Sequence, residues 1–91
     1  MQVPWQGLTA DVRELGSGPA LVLVHGYPAD GAMWSGVARA LAVGLRVLKP
    51  DLPGHGENAA PAAQSIEGQA DFLEAILAEL PGPVGLVGFS M

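Results

Sequence analysis

Residues Ala20-Leu21-Val22-Leu23-Val24 are apolar at every position. A strand with one wet face alternates apolar and polar side chains, whereas an unbroken apolar run belongs to a strand covered on both faces. Gly16-Ser17-Gly18-Pro19 opens this run as a turn, since glycine supplies positive φ and proline fixes the residue that follows. The rest of the chain must therefore supply two covering layers around a strand in the middle of a sheet.

The segments on either side meet that demand. Residues 8–15 alternate loosely, with Leu8, Ala10 and Val12 against Thr9, Asp11 and Arg13, as expected of an edge or near-edge strand. After 20–24 come His25-Gly26-Tyr27-Pro28 and then Asp30, an N-cap for a helix over 31–43 with Trp34, Val37, Ala38 and Leu41 on its apolar face and Gly44 as its stop. A strand over 45–49 runs into a turn-rich loop, Asp51 to Asn58. Ser65 then caps a second helix over 65–80, with Ile66, Ala70, Leu73, Ile76, Leu77 and Leu80 inward and Glu67 favourable to its dipole. Pro81-Gly82-Pro83 ends it and a last strand covers 84–88. Alternation of this kind predicts parallel pairing with right-handed crossovers, and chemistry at the carboxyl ends of the strands. Three loops fall there: 25–28, 51–58 and 88–91.

The last of these draws attention to Ser90. In Gly88-Phe89-Ser90-Met91 a serine follows an apolar strand and a small residue, the arrangement that displays a hydroxyl nucleophile on a sharp strand-to-helix turn. Composition fits a packed domain or part of one: 49% of the 91 residues are hydrophobic and 14% charged. A net charge of −5, with only Arg13, Arg39, Arg46 and Lys49 to meet phosphates, excludes nucleic acid and anionic membranes as expected partners. The absence of cysteine removes disulfides, thiolate metal sites and a thiol nucleophile. No run approaches the ~18 apolar residues of a membrane span and the opening residues have no basic-then-apolar leader pattern, so the expected location is cytoplasmic.

Three pieces in order, Leu21-Val22-Leu23-Val24-His25-Gly26, Asp51-Leu52-Pro53-Gly54-His55-Gly56 and Val87-Gly88-Phe89-Ser90-Met91, make the chain resemble the N-terminal part of an α/β-hydrolase from about residue 8 onward. The resemblance implies an incomplete α/β-hydrolase domain over 1–91, a mostly parallel sheet with helices on both faces. It implies Ser90 as the nucleophile that forms an acyl-enzyme, and the backbone N–H groups of Tyr27 and Met91 as the oxyanion hole. His25, Gly26 and Gly88 would shape the site. The family's acid and histidine follow the nucleophile in chain order, so this stretch alone is expected to be inert. His25-Gly26-Tyr27-Pro28 is also similar to the loop of epoxide hydrolases and dehalogenases of this fold. Those displace at alkyl carbon with an aspartate, and a serine at 90 points to acyl transfer instead. Esterase, lactonase, C–C bond hydrolase and cofactor-free haloperoxidase chemistries all remain open.

The expected function is that of the N-terminal part of a serine hydrolase acting on a small-molecule carboxylic ester, lactone or similar acyl substrate, with no cofactor and no metal. Two alternatives stand beside it: a non-catalytic binding module, and one chain of a split hydrolase completed by a complementing C-terminal chain. The strand at 84–87 carries no charge, and its free edge favours the fragment or split reading over an autonomous module. Because the helix layers that cover the sheet in the family are incomplete here, the stretch alone is expected to be marginal or molten. His55 between two glycines reads as a turn residue, and Asp51, His55 and Glu57 as structural, since they lack zinc-site spacing. Trp34 and Phe72 read as packing residues.

Overall fold

The computed structural model describes residues 1–26, 30–53, 55, 58 and 66–88. In chain order it has β1 (Gln2–Trp5), β2 (Leu8–Asp11), β3 (Arg13–Leu15), β4 (Ala20–Val24), a 3-10 turn (Gly31–Trp34) running into α1 (Ser35–Leu41), β5 (Arg46–Lys49), α2 (Ile66–Ala78) and β6 (Val84–Gly88). The main sheet has the order β3-β5-β4-β6. Strand β4 pairs in parallel with β5 and with β6, and β3 pairs antiparallel with β5.

The unbroken apolar run of β4 is explained by what covers it. Val22 and Val24 join Leu48, Phe72, Ile76 and Leu80 in a core on the α2 side, while Leu21 and Leu23 join Val47, Trp34, Ala38 and Leu41 on the α1 side. Each face of the strand thus meets its own helix, as the absence of alternation requires. Phe72 sits at 1% exposure, its ring 5.3 Å from that of Trp5 in an edge-to-face contact. Both aromatics that read as packing residues do pack. The buried Trp34 Nε1, however, has no hydrogen-bond partner among the described residues.

Several expectations are corrected. An additional strand, β1, precedes the first one expected. It forms a hairpin with β2 in register Trp5↔Leu8, joined by Gln6 and Gly7 at φ +50° and +75°, the positive pair that a tight two-residue hairpin turn demands. Val3 and Trp5 point inward and Gln2 and Pro4 outward, a period of two. The expected strand over 8–15 changes partner midway. Val12 exchanges backbone hydrogen bonds with Met1, completing the hairpin, and from Arg13 onward the chain pairs with β5.

The helix expected over 31–43 begins as a 3-10 turn and ends at Leu41; Asp30 does cap it, accepting from the Ala32 N–H at 2.9 Å. Val37 is turned out to 48% exposure, because Trp34, Ala38 and Leu41 already fill the stripe facing the sheet. On α2 the inward stripe is Phe72 and Ile76, with Leu73 packed against them and Leu80 just past the helix end, while Ala70 and Leu77 face outward. The Ser65 cap and the Ile66 side chain lie outside what is described. In the apolar strand β6, Leu86 and Val87 are 54% and 41% exposed. It is an edge strand among the described residues, covered at Val84 alone, and Gly85 and Gly88 bring no side chains to pack.

Candidate active site

The parallel strands β4, β5 and β6 all deliver their carboxyl ends to one edge of the sheet. Val24 pairs with Gly88, so the chain leaves β4 into His25-Gly26 beside the point where β6 ends. Phe89, Ser90 and Met91 follow Gly88 in sequence. Tyr27, Ser90 and Met91 lie outside the described residues, so the structure locates the strands that lead to them. A Cβ built on Gly88 meets nothing within 4 Å, so no described neighbour requires a glycine there.

His25 is fully buried. Its Nε2 accepts the Leu52 N–H at 3.0 Å, which places the ring proton on Nδ1, where it is donated to Gly26 O at 2.9 Å. Both ring nitrogens are thereby engaged with backbone. This geometry makes His25 a bracket between the β4 and β5 loops. The bracket also leaves it no lone pair with which to act as a base. His55 stands against it, ring centroids 5.2 Å apart at 61°, with the His55 N–H donating to Leu52 O in a turn. Asn58 reaches back to donate its Nδ2 to Asp51 O at 2.9 Å. Glu57 lies outside the described residues.

Asp51, read from sequence only as a structural residue, turns out to be the junction of this edge. It is 8% exposed, and its Oδ1 accepts at 2.7 Å from both Arg13 Nη2 and the Gly31 N–H. Gly31 is needed for that approach: a Cβ there would lie 2.6 Å from Lys49 O and 2.9 Å from Pro50 O. A second, part-buried polar contact, Lys49 Nζ to Ser35 Oγ at 3.4 Å, ties β5 to α1. Neither was legible from spacing. The signal that could have found the first is an acidic residue enclosed by Pro50 and Pro53 directly after a buried strand, where a carboxylate has to be paired.

A mostly parallel sheet, helices on both faces and histidine-, aspartate- and glycine-bearing loops at its carboxyl edge define an α/β scaffold whose loops gather at one edge. The profile described as "alpha/beta hydrolase fold" matches residues 19–91, and the chain belongs to that family. It is 40% identical over 85 residues to the pimeloyl-[acyl-carrier protein] methyl ester esterase of Aeromonas hydrophila, an alignment covering 92% of this chain and 33% of that protein. Among solved structures, a thioesterase domain from the curacin biosynthetic pathway superposes with a TM-score of 0.91 at 32% identity, over 100% of this chain and 35% of the other. An epoxide hydrolase from Vigna radiata superposes with a TM-score of 0.88 at 30% identity, over 99% and 31%. The chain thus spans about a third of the length of the proteins it matches. Among the described residues no helix is long and apolar enough to cross a membrane.

Proposed function

We propose that this chain supplies the front part of a carboxylic ester hydrolase in which Ser90 is the nucleophile and the Tyr27 and Met91 N–H groups receive the oxyanion. The observation that carries this reading is the parallel pairing of β4 with β6 in register Val24↔Gly88, which starts the two site-forming segments side by side at one edge. Ser90 Oγ attacks the ester carbonyl, and collapse of the tetrahedral intermediate expels the alcohol and leaves an acyl-enzyme that water hydrolyses. The proton of the serine goes to a histidine which, in this fold, follows the nucleophile in the chain.

A serine at position 90 favours acyl transfer over the alkyl displacement of epoxide hydrolases, despite the structural likeness to them. The relatives named for methyl ester hydrolysis on a carrier-bound acyl chain favour an ester with a small alcohol leaving group as substrate. Such a substrate fits a cytoplasmic enzyme that needs neither metal nor cofactor.

The test uses the protein at its natural length, with p-nitrophenyl and methyl esters and a fluorophosphonate probe. Ester turnover and one-to-one labelling at Ser90 are expected, and Ser90→Ala should lower kcat by about 10⁴- to 10⁶-fold. Labelling of another residue, or an unchanged kcat in Ser90→Ala, overturns the reading.

A further inference from the structure

We propose that Asp51 is a positioning residue for the oxyanion-hole loop, a role that rests on the serine-hydrolase reading above. His25 and Gly31, which bracket residues 26–30 in sequence, are both held by one adjacent pair at the exit of β5. At the near end His25 Nε2 accepts the Leu52 N–H at 3.0 Å, and at the far end the Gly31 N–H donates to Asp51 Oδ1 at 2.7 Å. Tyr27, the proposed donor, lies between these anchors in sequence. In general, fixing both ends of a short segment limits the conformations open to what lies between, and an oxyanion donor has to be held to within about 0.5 Å.

The chemistry of the far anchor explains why a carboxylate stands there. Asp51 is buried, and an ionised carboxylate away from water has to be paired. Arg13 supplies the charge at 2.7 Å on the same oxygen, from a side chain that is itself 39% exposed and keeps contact with water. The Gly31 N–H then makes a charge-assisted bond, roughly twice as strong as a neutral one. Gly31 accepts this pull because its missing side chain lets the backbone lie against the carbonyls of Lys49 and Pro50. Arg13 therefore sustains the carboxylate, and the carboxylate sets the loop.

The two roles separate by mutation in the protein at its natural length. Asp51→Ala removes the acceptor, and since a displacement of ~1 Å costs about 10²-fold, kcat for a p-nitrophenyl ester should fall about 10- to 100-fold with KM changed less than about threefold. Asp51→Asn keeps an amide oxygen for the Gly31 N–H and should recover kcat to within about fivefold of wild type, although the ion pair is lost. Arg13→Gln should lower the melting temperature and leave kcat within about threefold. Amide hydrogen exchange over residues 30–33 should accelerate at least about tenfold in Asp51→Ala and change little in Asp51→Asn.

A folded Asp51→Ala with wild-type kcat overturns the proposal, as does an Asp51→Asn as impaired as the alanine variant. Should Asp51→Ala fail to fold, Asp51→Asn decides: a folded asparagine variant with kcat more than about tenfold below wild type overturns the proposal. A wild-type protein that neither turns over esters nor reacts with fluorophosphonate removes the serine-hydrolase reading instead. The exchange measurement then judges the anchor alone, and unchanged exchange in Asp51→Ala sinks it.

Discussion

Gly31 is where two requirements meet in one residue: its N–H must reach Asp51, and its Cα must pass close to two carbonyl oxygens. Its φ is ordinary, so the demand is for space. Gly31→Ala would place a methyl 2.6 Å from Lys49 O, and backbone cannot yield as a flexible side chain does. A loss of about 1–3 kcal/mol is expected, read as a lowered midpoint in urea unfolding at unchanged slope. Of the proposed site residues, His25 could be read from its place after a buried strand, and its two backbone partners explain why a histidine suits that place. Asp51 could not be read in the same way. Its ionic partner lies 38 residues earlier in the chain, on a strand whose pairing with β5 no local pattern announces.

At the scale of elements, what was legible is what periodicity encodes. The doubly buried β4 and the strand and helix order around it follow from apolar patterning, because burial on both faces leaves a plain mark. The hairpin strand β1 left a weaker one: four residues with a proline among them, resembling a loop until Val3 and Trp5 are seen to share a face. Pro4 is tolerated since, among the described residues, β1 pairs with β2 alone. The partner change at Val12 left no mark, as both halves of the run are extended.

Near that change, Glu14 on β3 accepts from Arg46 Nη2 on β5 at 3.0 Å, and the Met1 ammonium lies 3.6 Å from the same oxygen. The Arg46 hydrogen bond, opposed by partial burial and assisted by both positive charges, holds the Glu14 carboxyl below its ordinary value. The unfolded chain therefore binds this proton more readily than the folded one. The resulting stability is complete above the ordinary glutamate range and disappears as pH falls through the depressed folded value. For a solvent-facing pair it amounts to about 0.2–1 kcal/mol, so Glu14→Gln should flatten the acid limb of a stability-versus-pH curve and leave its neutral plateau lower by that amount.

At the scale of the whole molecule, the two edges of the main sheet differ in charge: β3 carries Arg13 and Glu14, and β6 carries no charged residue. Among the described residues β3 ends the main sheet on one side, and β6 ends it on the other with Leu86 and Val87 exposed and no charge to deter pairing. Residues 1–91 produced as an isolated polypeptide are expected to self-associate through β6 and to turn over no ester. Leu86→Lys should shift that polypeptide toward monomer in light scattering, and a wild-type polypeptide already monomeric at high concentration would refute the expectation.

The two tryptophans offer another view of the same architecture. Trp5 stands edge-on to Phe72 in the α2 layer, and Trp34 packs with Leu23, Ala38 and Val47 in the α1 layer. Each side of the sheet therefore carries its own intrinsic fluorophore. Replacing one indole with phenylalanine leaves an emission signal from the other alone, so the loosening of either layer during unfolding can be followed separately by light.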